Sequence, residues 1–168
     1  MTITKVSGLD LSITATGVAH AVEGAACTHL IKTKDGTGDL RLMVIKLQVR
    51  ERVAGSEFVL IEDLLENSLR AGTTGMVHGG VRTMLQEEGI PYGMIPPTSL
   101  KKYATGKGTA GKPEMAVAAF KRGGVEFSDD NQCDAWWCYV MALDHLGVPL
   151  FDMPAVNRES LKNIRMEG

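Results

Sequence analysis

The chain lacks what would send it into a membrane or into an oxidising compartment. No apolar run approaches the roughly 20 residues that span a bilayer, and residues 1–5 have no signal-peptide layout. The three cysteines, Cys27, Cys133 and Cys138, are odd in number and lack metal-site spacing. They read as reduced thiols, and the expected location is the cytoplasm, with no membrane partner. The four histidines, His20, His29, His78 and His145, show no paired ligand spacing either; His145 closes a helix, where a cation is favourable. Repeats and low-complexity segments are absent. Charge of one sign is also lacking: the formal net charge of −2 excludes a global pull toward nucleic acid, so any anion-binding surface has to be a local patch.

What is present suits an ordinary globular protein. At 168 residues and 44% apolar, residues 1–168 are expected to form one domain. A chain of that length buries roughly 70% of its unfolded surface and needs no covalent staples. Residues 3–10, 16–22 and 27–33 read as three strands of an antiparallel meander, turned at Gly24 to Ala26. Leu42, Ile45, Leu47 and Val49 mark an amphipathic helix over residues 40–53. Residues 57–63 form a nearly all-apolar strand, expected to be central. A helix over 73–88 ends at Gly89, a fifth strand over 90–95 stops at Pro96-Pro97, and residues 98–103 make a short helix. Pro113 opens a helix to about Arg122, and residues 131–146 form the last long helix. The tail, 148–168, reads as loop with a short helix after Pro154. The expected fold is α/β: a five-stranded mixed sheet, meander plus parallel strands, with helices on both faces.

Within that frame three carboxylates stand out. Asp10 closes the first strand and is followed at once by a hydroxyl-rich turn, Ser12 to Thr16. Glu62 interrupts the apolar run Phe58-Val59-Leu60-Ile61, and Asp134 lies on the last long helix. Each has an ordinary explanation. Asp10 could start a turn, Glu62 could sit in solvent past its strand, and Asp130 or Asn131 could cap a helix whose first turn Asp134 closes. Those explanations do not say why three separate segments each bring a carboxylate to an element end. A buried charge is costly unless paired, and divalent ions are the usual remedy where carboxylates converge. Hydrolysis of a phosphodiester with two metals needs ions about 3.5–4 Å apart, bridged by one carboxylate and flanked by others. Asp10 is placed to bridge, and Asn131 or Asp130, one helical turn before Asp134, could add a further oxygen.

Gly106-Lys107-Gly108-Thr109-Ala110-Gly111-Lys112 imitates a nucleotide loop, but Pro113 stands where a Ser or Thr should hold magnesium, and no buried strand precedes it. The loop reads as flexible, with backbone N–H groups and lysines suited to a phosphate backbone. It belongs to a basic patch, Lys101, Lys102, Lys107, Lys112, Lys121 and Arg122, opposed only by Glu114. A second basic run, Arg41, Lys46, Arg50 and Arg52, reads as the solvated face of its helix. Of Trp136 and Trp137, one is expected on the sheet and its neighbour on the helix's other side.

These motifs, in order, resemble RuvC-type Holliday junction resolvases over residues 3–147. Gly8-Leu9-Asp10-Leu11-Ser12 with Thr14 to Gly17 is similar to the first motif of that family, and Leu60-Ile61-Glu62 to the second. Residues 96–112 resemble the lysine-bearing segment, and Asn131 to Trp136 the fourth motif. The wording of residues 129–137 and the small size resemble bacteriophage members. The resemblance implies an RNase H-like fold, a homodimer and two Mg²⁺ ions, with Mn²⁺ as a substitute. It implies hydrolysis of branched DNA, such as four-way junctions, flaps or forks. Asp10, Glu62 and Asp134 would be metal ligands, while Lys101 and Lys112 would support the scissile phosphate beside Lys102 and Lys107. Two positions depart from the family pattern. Asn131 replaces an acidic residue or histidine, leaving Asn131 or Asp130 as the fourth ligand. Leu65 replaces an aromatic that stacks on an opened base pair; an apolar wedge still opens a base step, with broader branched-DNA selectivity. Competing readings are a non-catalytic DNA-binding module and an RNA-processing nuclease of the same fold. A sugar-kinase-like or actin-like ATPase needs two such domains, which 168 residues cannot hold.

Overall fold

A computed structural model describes residues 4–34, 36–64 and 71–167. One mixed sheet runs in the order β3-β2-β1-β4-β5-β6. β1 (Val6–Asp10), β2 (Ala15–Val22) and β3 (Ala25–Lys32) form the antiparallel meander. β4 (Phe58–Glu62) lies parallel to β1, and β5 (Tyr92–Ile95) parallel to β4. Parallel neighbours need crossovers. Helices α1 (Gly38–Val53) and α2 (Ala71–Glu87) provide them and pack Ile45, Val49, Val77, Val81 and Leu85 on one face of the sheet. The other face carries α5 (Asp130–His145), against which α3 (Pro97–Thr105) and α4 (Lys112–Gly123) pack.

The sheet has one strand more than the five expected. β6 (Arg165–Glu167) pairs antiparallel with β5 and comes from the tail, after α6 (Ala155–Arg158) and a 3-10 turn (Glu159–Asn163). Three largely polar residues carry no alternation that would mark a strand. The strand forms because the tail is anchored beside an open sheet edge. The buried Asp144 carboxylate accepts hydrogen bonds from the Tyr103 hydroxyl (3.0 Å) and the Arg158 guanidinium (2.8 Å), and Asn157 Nδ2 donates to the Tyr103 carbonyl (2.7 Å).

Strand alternation decides which side chains meet α5. On β1, Val6 joins the core beneath α5 while Leu9 joins the core beneath α1 and α2; on β4, Phe58 and Leu60 face α5 while Val59 and Ile61 face away. Continuing each alternation puts Asp10 and Glu62 on the α5 side, and the parallel register, Leu9 opposite Ile61, makes them neighbours. Helix α5 comes unusually close. A Cβ on Gly8 would collide with the carbonyl oxygen of Ala135 and the amide nitrogen of Tyr139, and one on Gly17 with the carbonyl of Asn131. Because sheet and neighbouring helices cover α5 together, both tryptophans are buried, rather than one on each side. Trp136 and Trp137 are 1% and 0% exposed with ring centroids 4.9 Å apart, which removes them as base-stacking platforms. The basic run on α1, expected as a solvated face, also makes tertiary contacts: Arg41 donates to the Thr33 carbonyl (2.7 Å), and Arg50 pairs with Glu88.

Gly17→Ala is expected to lower unfolding free energy by about 3 kcal/mol, since helix backbone has to move for one methyl group. Urea denaturation checks this; a change under about 0.5 kcal/mol would show that α5 is not seated on that glycine.

Candidate active site

Each acidic residue reaches the site by its own route. Asp10 ends β1 at the point where Ser12 and Thr16 close the turn: the Ser12 amide donates to Thr16 Oγ1 (3.1 Å), and Thr16 Oγ1 donates back to the Ser12 carbonyl (2.7 Å). Glu62 ends β4. Asp134 sits one turn inside α5, whose cap is Asp129 rather than Asp130 or Asn131; the Asp129 carboxylate accepts from the amides of Asn131 (2.9 Å) and Gln132 (3.2 Å). One carboxylate oxygen from each of Asp10, Glu62 and Asp134 lies within 4.8 Å of the others.

Charge is unbalanced there. Among the described residues no lysine or arginine forms an ion pair with any of the three. Burial first, and Asp134 second, push Asp10 up to about 8. Burial and then Asp10 push Glu62 well above the carboxylate range. Burial and then Asp130 raise Asp134 to about 6. Three all-oxygen groups converging without a cation are the donor set of a hard divalent ion, with no sulfur or imidazole to favour a softer metal. The residues fit the metal that the sequence suggests.

The cluster opens into a cleft of ≈ 310 Å³ whose walls include Lys101, Lys112, Asp130, Asn131, Asp63 and His78. The candidate residues divide around it. Lys101 lines the cleft from α3 and Lys112 from the start of α4. Asp130 also reaches the cleft, but its carboxylate is 2.5 Å from Lys112 Nζ and stands outside the acidic cluster; Asn131 lines the cleft with no such pairing. Lys102 turns away, to Glu159 in the tail (3.2 Å). Lys107 is exposed on a different cavity. Local hydrogen bonds shape the loop: the Lys107 amide donates to Thr105 Oγ1 and the Ala110 amide to the Lys107 carbonyl. Leu65 lies outside the described residues.

Two cleft residues escape sequence reasoning. Asp63, just past β4, accepts from the Leu64 amide (2.8 Å) and pairs with Arg165 of β6. His78 on α2 is 3% exposed with Nδ1 unpartnered, and burial lowers it to about 4, so the ring is neutral. The signal was available: Thr74 and His78 lie one turn apart on the helix that follows Glu62, so one face of that helix borders the site.

No family model and no curated protein matches the sequence. Solved structures do. "Thermus thermophilus RuvC structure" matches at 24% identity and TM-score 0.72, over 97% of this chain and 99% of that one. "T. thermophilus RuvC in complex with Holliday junction substrate" matches at 23% identity and TM-score 0.73, over 98% and 99%. The chain has the RNase H-like fold of RuvC. No helix of the described residues is long and apolar enough to cross a membrane.

The raised carboxyls predict a pH signature of the metal-free protein. Asp10 holds its proton to about 8 when folded and releases it from 3.8 when unfolded, so the unfolded state binds fewer protons in that window and stability falls as pH rises. His78 acts oppositely, but only below its ordinary 6.5, so the carboxyl effect is read above that pH. Raising the pH from about 6.5 to about 8.5 in EDTA should lower Tm on the order of 5 °C. Mg²⁺ or Mn²⁺ should restore it more at the higher pH. A Tm indifferent to pH and to cation in calorimetry would overturn the assignment of this cluster to a cation.

Proposed function

We propose that the chain is a divalent-metal-dependent endonuclease that cleaves branched DNA, four-way junctions among its substrates, and that residues 1–168 work as one nuclease domain. The observation that carries this is the convergence of Asp10, Glu62 and Asp134 at one end of a RuvC-like sheet. The likeness extends to a RuvC solved with a Holliday junction substrate, which supports branched DNA as the ligand class.

Asp10, Glu62 and Asp134 would together hold two divalent ions, Mg²⁺ with Mn²⁺ as substitute. Asn131 would add the fourth oxygen, because Asp130 is engaged by Lys112. Bound metal supplies Lewis acidity at the phosphate and lowers the pKa of water. In the reaction, water oxygen bonds to phosphorus and the P–O3′ bond breaks. The proton ends on the 3′ oxygen, leaving a 5′-phosphate. Lys101 and Lys112, reaching the cleft from separate helices, offset charge that builds on the phosphate oxygens. Lys112 is held by its hydrogen bond to Asp130, which also keeps it protonated. A homodimer is supported by the outer side of α2, where Met76 is 52% exposed and Cβ atoms on Gly72, Gly75 and Gly79 would meet none of the described residues. The cytoplasm is the proposed location, with all three cysteines unpaired.

The test compares wild type with Asp10→Asn on labelled four-way junction, flap, linear duplex and single strand, with Mg²⁺. Wild type should cut branched substrates, and the variant should lose at least about 10³-fold. Equal cutting by both would sink the metal assignment, and cutting of linear single strands alone would sink branch selectivity. Lys112→Ala should reduce the cleavage rate about 10²-fold with little change in Kd; parallel losses would make it a backbone clamp.

A further inference from the structure

The basic patch is one run in sequence but two surfaces in space. The first turns of α3 and the first residue of α4 line the acidic cleft, through Pro97, Lys101 and Lys112. The last turn of α3 and the outer side of α4 line a second, larger cavity of ≈ 580 Å³, with Thr105, Lys107, Val117, Lys121 and Arg122 on its walls. None of its three cations forms an ion pair among the described residues. Its one acid, Glu114, is occupied: its carboxylate accepts from the Gly111 amide (2.7 Å) as part of the cap of α4. Beyond Val117 the same helix exposes Phe120, 55% accessible, over an adjoining hollow shared with Phe127. Unpaired cations beside an exposed aromatic, in a chain of net charge −2, are a local polyanion surface.

Helix geometry sets its distance from the chemistry. Lys121 lies nine residues beyond Lys112, or about 14 Å along the axis. One DNA strand advances about 3.4 Å per phosphate along the duplex axis, so a duplex lying along α4 would pass about four phosphates between its two ends. Lys107, in the turn before α4, lines the same cavity as Lys121 and Arg122.

We propose that this α3–α4 face is a second DNA surface, gripping the backbone of the bound substrate about four phosphates from the scissile position. It rests on the nuclease reading above and deepens it, by separating the groups that act on the cut phosphate from those that hold a flanking arm. Lys107, Lys121 and Arg122 contact phosphates, and the Val117–Phe120 ridge meets the sugars and bases beside them.

The test measures DNA binding without cleavage. In an Asp10→Asn background, anisotropy of a labelled four-way junction is titrated over a salt series, with and without Lys107→Ala, Lys121→Ala and Arg122→Ala combined. The triple variant should bind at least about 10-fold more weakly, with the slope of log K against log salt shallower by about 2.7. With Asp10 restored, its Mn²⁺ binding by calorimetry should equal wild type, showing that fold and acidic cluster are intact. Unchanged affinity and slope, while Lys101→Ala/Lys112→Ala loses both, would overturn the second surface and leave the nuclease reading standing. A parent protein that takes up Mn²⁺ but binds no DNA of any form would overturn both.

Discussion

Helix α5 rests on the sheet by its backbone. At Gly8 on β1 and Gly17 on β2 there is no side chain between helix and strand, and the helix main chain fills the space that a Cβ would need. That contact sets the height of α5 above the sheet, and so the reach of Asp134 toward Asp10 and Glu62. It also explains why α5 is apolar nearly all round. A helix pressed that close to a sheet, and covered by α3 and α4 outside, has no solvated side for Trp136, Trp137 or Tyr139 to use. Site geometry and core packing are therefore one constraint. A change that lifts α5 opens the core and separates the carboxylates together.

The same contact creates an electrostatic problem that the protein leaves unsolved by its own residues. Asp10, Glu62 and Asp134 repel one another in a setting where burial already disfavours charge. Two lysines stand within the cleft, yet one is tied to Asp130 and neither pairs with the cluster. A protein selected for stability alone would place an arginine there or remove an acid. The arrangement makes sense when a cation from solution completes it, and the cost in metal-free stability is the local conflict expected at a functional site.

The strong signals in the sequence are those with a period. The meander, the central apolar strand and the long helices follow from alternation or three-to-four spacing, and their boundaries lie within a few residues of the structure. Asp10 and Glu62 were visible because each breaks such a pattern. What lacks a period was hidden. β6 is three residues with no buried face, and its pairing depends on Asp144, Tyr103 and Arg158 meeting across distant segments. The cap of α5 falls on Asp129, one residue before the Asp130 or Asn131 that the sequence suggests, because only backbone dihedrals distinguish consecutive polar residues there. His78 looked like a lone helical histidine, because its one local signal, a place one turn beyond Thr74 on the helix that follows Glu62, is weak until α2 is seen to border the cleft. The split of the basic patch is equally non-local: Lys101 and Lys102 are adjacent in sequence, yet a helix turns successive side chains about 100° apart, one to the cleft and one to the tail.

The tail bears on both problems. By pairing with β5, β6 covers a sheet edge that would otherwise present unpaired amides. That pairing carries Arg165 to the rim of the acidic cleft, where it pairs with Asp63. Asp63 directly follows Glu62, and a free carboxylate there would add negative charge beside a cluster already short of cations. Arg165 neutralises that charge without pairing with Asp10, Glu62 or Asp134. Glu167, two residues further on the same strand, pairs with Arg82 of α2, on the helix that also carries His78. A segment with no recognisable pattern of its own thus fixes the charge balance on one side of the cleft, through a strand whose backbone pairing places its side chains.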